Sequence, residues 1–152
     1  MTAQVVAVSR LTPYREVARL LASHRISGLP VVMADRRVVG VISETDLLAS
    51  RDKAAWQAHT ATATGRRWHG MGRHPAAVAG ELMTAPAVTI DPDATVADAA
   101  RVMSAHAIGR LPVVSRSGTL IGIISQGDLL GAFADQDGKS HGQEPTATSD
   151  SR

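Results

Sequence analysis

Ile26-Ser-Gly-Leu-Pro-Val-Val32, followed by Gly40-Val-Ile-Ser-Glu-Thr-Asp-Leu-Leu48, occurs a second time as Ile108-Gly-Arg-Leu-Pro-Val-Val114 and Gly122-Ile-Ile-Ser-Gln-Gly-Asp-Leu-Leu130. Pro30 maps to Pro112 and Gly40 to Gly122, a constant displacement of 82 residues that also carries Met1-Thr2-Ala3 onto Met83-Thr84-Ala85. About 18 of 48 aligned positions are identical without a gap. Agreement of that extent in one register means two copies of one structural unit, and therefore paired surfaces and paired sites.

Each copy, at about 48 residues, is near the size at which an independent core becomes marginal without metals, disulfides or a partner. Two units sharing one core are therefore expected. The first copy opens with the β-branched run Val5-Val6-Ala7-Val8, then Thr12-Pro13, where threonine suits a helix cap and proline the first helical position. Tyr14, Val17, Ala18 and Leu21 recur at i, i+3, i+4 and i+7, with Leu20 widening the stripe, and His24 and Arg25 suit the C-terminal end of that helix. Leu29 to Met33 and Val38 to Ile42 read as an antiparallel hairpin around Ala34-Asp-Arg-Arg37, and a second helix is expected from Ser43 toward Ser50.

The second copy repeats the order, with a strand at Val88 to Ile90 and a helix from Val96 to His106. A hairpin of Leu111 to Val114 and Leu120 to Ile124 follows, then a helix from about Gly127 to Phe133. Each unit thus reads β-α-β-β-α, an α/β fold of the α+β type. Strands apolar at nearly every position imply sheets covered on both faces, which pairing of the copies about a pseudo-twofold axis would provide. The expected divisions are 1–50 and 81–134 for the repeats, 51–80 for a partly helical or mobile linker, and 135–152 for a polar disordered tail.

Composition excludes several functions. With no cysteine there is no disulfide framework, thiolate metal site or cysteine nucleophile. Sixteen Lys and Arg against fourteen Asp and Glu leave a net charge of +2, and aromatic residues are 3% of the chain, so neither a basic footprint nor a base-stacking platform is present. No apolar run approaches the length of a bilayer span and no basic leader precedes the opening residues, so no membrane is expected and a cytoplasmic protein is the default.

The helix ahead of Ile-x-x-Leu-Pro-Val-Val, the hairpin and the Gly-h-h-Ser-x-x-Asp-h-h motif, doubled in order, resemble a tandem cystathionine β-synthase (CBS) domain pair, or Bateman module, over about 1–50 and 83–134. The resemblance implies a non-enzymatic regulatory sensor with no required cofactor. Its ligand would be an adenosine compound (AMP, ADP, ATP or S-adenosylmethionine) held in clefts between the repeats. A homodimer and an unidentified effector protein are the implied partners.

Asp46 and Asp128 match the family's ribose-binding aspartate, and an ionised carboxylate does accept from two ribose hydroxyls. Ser43 and Ser125 stand three residues earlier at a strand-to-helix junction, where a hydroxyl and helix-start N–H groups can meet a phosphate. Ser-x-x-Asp is equally a capping box, which needs no ligand. Gly127, in the first turn of the second copy's last helix, fits either close ligand approach or close packing.

The copies differ before Leu-Pro-Val: Arg110 matches a phosphate-contacting basic position, whereas the first copy has Gly28. Thr12 matches the threonine that a site borrows from the other repeat, and its counterpart is Ala94, with Thr95 one place later. Thr12, Arg110, Ser125 and Asp128 therefore form the preferred expected site, with Ser43, Thr45 and Asp46 as the second, suited to a less charged adenosine compound or to none.

The rivals are a structural interaction module without ligand, and a linker that binds metal or nucleic acid. His59, His69 and His74 lie near one another but match no zinc spacing, so no metal site is assigned. His24 and His106 read as helix-end residues. Arg66-Arg67-Trp68 and Arg73 are too short a cluster for a nucleic-acid module.

Overall fold

The computed structural model describes residues 4–50 and 77–139, the last four of these by their backbone alone. Expectations for residues 51–76, including the three linker histidines and Arg66, Arg67, Trp68 and Arg73, and for residues 140–152, lie outside the described residues.

Both copies follow the repeated pattern except at the second copy's first strand: of the expected Val88 to Ile90, only Ile90 pairs, as a single bridge. The first holds β1 (Val8–Ser9), α1 (Tyr14–His24), β2 (Gly28–Val32), β3 (Val38–Ser43) and a helix α2 over residues 44–50. A four-residue helix α3 (Ala79–Leu82) leads into the second, which holds α4 (Val96–His106), β4 (Arg110–Val114), β5 (Leu120–Ser125) and α5 (Gln126–Lys139). β1, β2 and β3 form one sheet in that order, and β4 and β5 form the other, extended by a parallel bridge from Ile90 to Val113. The hairpins pair in the same register and shift at the same place, between Val31 and Val32 and between Val113 and Val114.

The apolar stripes fill two interiors. Val17 and Leu21 of α1 are buried with Leu29, Val31 and Ile42, and Ala99 and Met103 of α4 with Leu111 and Val113. The expected shared core is thus corrected to one cluster per copy. Most of the apolar surface is buried within each unit, and the units meet through backbone bonds at the hairpin tips together with a few side chains, Met83 and Arg110 among them. At the hairpin tips the Val38 N–H donates to the Gly118 carbonyl (3.1 Å) and the Leu120 N–H to the Arg36 carbonyl (3.0 Å). Those bonds exchange under the 82-residue shift, so the contact is isologous, with Arg37 opposite Thr119 on its axis.

Several local expectations change. Pro13, not Thr12, is the N-cap of α1, and its ring has no group to cap with; the Thr12 hydroxyl instead accepts from the Ser9 N–H (3.0 Å). Thr95 does cap α4, accepting from the Asp98 N–H (3.1 Å). Residues 77–80, the end of the expected partly helical or mobile linker, are bonded to the first copy: the Tyr14 N–H donates to the Ala77 carbonyl, the Ala79 N–H to the Thr12 carbonyl and the Gly80 N–H to the Arg10 carbonyl. Ala79 is fully buried in the first cluster. The start of the expected tail, 135–139, is helical, since α5 runs to Lys139.

Candidate functional site

Both Ser-x-x-Asp junctions are built alike. The Ser43 hydroxyl and N–H both donate to Asp46 Oδ2 (2.6 and 2.8 Å), and the Asp46 N–H donates back to Ser43 Oγ (3.3 Å). Ser125 and Asp128 repeat this at 2.7, 2.8 and 3.3 Å. The capping box is therefore real in both copies, and it occupies one carboxylate oxygen of each aspartate. Among the described residues, the other oxygen of Asp46, Oδ1, meets only the Thr84 hydroxyl at 3.5 Å, the outer limit of a hydrogen bond. The cap thereby aims Oδ1 of Asp46 rather than using up the carboxylate.

The same inventory corrects the expectation of open N–H groups at the helix start. The Glu44 N–H donates to the Ser27 carbonyl (3.1 Å) and the Gln126 N–H to Gly109 (3.0 Å). With the N–H groups of Ser43 and Asp46 bonded inside the box, the start of α2 is largely satisfied. Thr45 and a side chain from the other copy are left as the donors best placed for an anion.

That side chain is Arg110. Its guanidinium donates to the Gly28 carbonyl (2.9 Å) and to the Ser27 hydroxyl, crossing from the second copy to the first. Burial of the half-exposed guanidinium lowers its pKa from the ordinary arginine value, with nearby Glu44 acting in the opposite direction. It makes no ion pair among the described residues. The contrast between Gly28 and Arg110 has a steric cause. A Cβ on Gly28 would lie 3.2 Å from Arg110 Cδ and 3.1 Å from the Ile42 carbonyl. The two equivalent positions face each other, and the glycine leaves room for the long side chain opposite, which a Cβ at position 28 would crowd.

Ser43, Thr45, Asp46, Arg110 and Ser125 line one cleft of about 590 Å³ between the copies. Thr12 and Asp128 are not among its lining residues. This cleft does not gather Thr12 and Asp128 with Arg110 and Ser125: Thr12 is held at the α1 entry by Ser9 and Ala79, and Arg110 and Ser125 line the cavity that Asp46 also lines. The threonine that crosses to the other copy's aspartate is Thr84. Its N–H donates to the Val41 carbonyl (2.9 Å) and its carbonyl accepts from the Val41 N–H (3.1 Å), which lays Met83-Thr84 along β3. Gly40 permits that approach, since a Cβ there would meet Met83 Sδ at 2.5 Å.

A sequence model of the CBS domain matches residues 1–53 and 79–135. The chain belongs to the CBS-domain family. Its two matched segments make it a tandem CBS pair, and it is 34% identical over 129 residues to the CBS domain-containing protein YhcV of Bacillus subtilis, covering 85% of this chain and 79% of that one. Among solved structures the CBS pair superposes on CBSX2 in complex with AMP at a TM-score of 0.70, with 28% identity and coverage of 88% and 90%. It superposes on the cytosolic domain of the magnesium channel MgtE in complex with ATP at 0.64, with 26% identity, covering 87% of this chain and 46% of that one.

Ser27, Glu44, Thr84, Val88 and Gln126 also line the cleft of the CBS pair and escaped the reading of the sequence. Thr84 carried a signal there, because Met83-Thr84-Ala85 belongs to the duplicated register. Ser27 and Glu44 carried none, being positions at which the copies differ.

Proposed function

We propose that this CBS pair is a non-catalytic regulatory sensor that binds an adenosine nucleotide in the cleft between its repeats. The observation that carries this reading is that Asp46 of one copy and Arg110 of the other line one cavity of about 590 Å³, within the range of small-ligand pockets. Asp46 Oδ1 accepts from the ribose hydroxyls, Arg110 and Thr45 hold the phosphate, and the backbone around Ala87 and Val88 reads the base edge. CBSX2 with AMP and MgtE with ATP support the ligand class. A ligand touching both copies favours one relative orientation of them, which passes occupancy to an effector protein as a population shift. Asp128 with Ser125 is the second candidate position.

The sensor is proposed to act in the cytoplasm as a homodimer. Leu48 on α2 and Leu130 on α5 are equivalent under the repeat, and they are 63% and 70% exposed, an apolar pair suited to a second copy. Among the described residues no helix is long and apolar enough to cross a membrane.

The deciding experiment is a thermal-shift and calorimetric panel of AMP, ADP, ATP, NAD and S-adenosylmethionine. At least one should raise the melting temperature, and Asp46→Ala or Arg110→Ala should weaken its binding by about tenfold or more. No shift with any ligand would favour the ligand-free interaction module. Binding that survives Asp46→Ala and disappears in Asp128→Ala would move the site to the second position.

A further inference from the structure

Glu44 is the lining residue that a phosphate-binding cleft does not explain. It stands at the first position of α2 beside Thr45 and Asp46, and its counterpart Gln126, which lines the same cavity, is uncharged. Its N–H is bonded to the Ser27 carbonyl, and the Arg110 guanidinium is bonded to the Ser27 hydroxyl, so one residue gathers the carboxylate and the cation on the same wall. The two charges form no contact ion pair. Glu44 therefore stays exposed to whatever enters.

Arg110 is the one cationic side chain among the described lining residues, against the carboxylates of Glu44 and Asp46. Of the helix-start N–H groups, those of Ser43, Glu44 and Asp46 are already bonded to Asp46, Ser27 and Ser43, which leaves Thr45 as a neutral donor beside Arg110. A first phosphate can be met by Arg110. A second or third finds no further cation and adds repulsion from Glu44, in a partly desolvated cleft where charges interact more strongly than in water.

We propose that Glu44 sets the charge this cleft accepts, selecting an adenosine ligand with one phosphate over those with two or three. The inference rests on the adenosine reading of the cleft, and its test separates the two.

Calorimetry on the full chain with AMP, ADP and ATP, without divalent metal, compares the unmodified protein with Glu44→Gln, which places the residue of position 126 at position 44. AMP should bind tightest to the unmodified protein. In Glu44→Gln the ratio of AMP to ATP affinity should fall about tenfold, chiefly through tighter ATP binding, and Glu44→Lys should reverse the order. A ratio unchanged by either substitution, or ATP binding tightest to the unmodified protein, overturns the role of Glu44 while leaving the adenosine site standing. Failure of all three nucleotides to bind any of the proteins overturns both.

Discussion

Asp128 shows how much one serine does in this fold. Hydrogen bonding from the Ser125 hydroxyl, opposed by burial and aided by the Ser125 N–H, holds the Asp128 carboxyl below the ordinary carboxylate range. A depressed native pKa contributes stability that is complete above the unfolded value near ~3.9 and is lost as pH falls through the native one. Ser125→Ala should therefore cost about 1 kcal/mol at pH 7, a typical cap value, with the gap to the unmodified protein narrowing below about pH 4. Urea unfolding at the two pH values measures it, and a gap that widens in acid would contradict the assignment. Position 28 gives a second test. Gly28→Ala presses a Cβ against the Ile42 carbonyl, which cannot rotate away, and against the Arg110 stem. A destabilisation of about 1–3 kcal/mol is expected, together with weaker nucleotide binding, by the same urea and calorimetric measurements.

At the level of elements, the hairpin tips invite comparison because equivalent residues solve one backbone problem differently. Gly118 has φ +80° and Arg36 φ +63°, and the carbonyls of both accept the bonds that join the copies. Gly118→Ala should cost about 1 kcal/mol or more, and Arg36→Gly should cost nothing or stabilise slightly, as read from melting temperatures. Elements with strong periodicity were legible in the sequence. α4 spans the expected Val96–His106, and α1 buries Val17 and Leu21 as its stripe requires.

The hairpins were also legible to within a residue, because Leu29 to Val32 and Leu111 to Val114 are apolar runs bounded by turns. What could not be read depends on contacts supplied from elsewhere. α3 has too few residues for a period and exists through carbonyls of Arg10 and Thr12. β1 shrinks to Val8–Ser9, because of the run Val5 to Val8 only Val8, with Ser9 after it, pairs with β2. α5 passes Gly131, and no proline interrupts the chain between that glycine and Lys139. Of the candidate cleft, the residue types were visible in the sequence, as paired aspartates and an arginine present in one copy alone. Its assembly was not, since only the fold puts Arg110 in one cleft with Asp46 and Thr84 beside it.

For the molecule as a whole, two small cores joined by backbone bonds and a polar cleft leave ligand occupancy well placed to govern stability. At a free nucleotide concentration one hundredfold above its dissociation constant, binding adds about 2.7 kcal/mol, which should raise the melting temperature by several degrees. Association should respond to the outer helices. Leu48→Asp combined with Leu130→Asp should shift sedimentation toward the monomer while leaving circular dichroism unchanged, and an unaltered sedimentation coefficient would show that these helices are not the interface.

The facing pair Gly28 and Arg110 also constrains ancestry. A single-repeat ancestor could form the reciprocal hairpin-tip bonds only by associating with an identical copy, at a strength set by its concentration. Identical copies must carry the same residue at this position: two glycines leave the cleft without its cation, and two arginines would collide and repel. Joined in one chain, the repeats associate intramolecularly and the two positions are free to differ, so a one-armed cleft is open to the fused pair and closed to two identical copies.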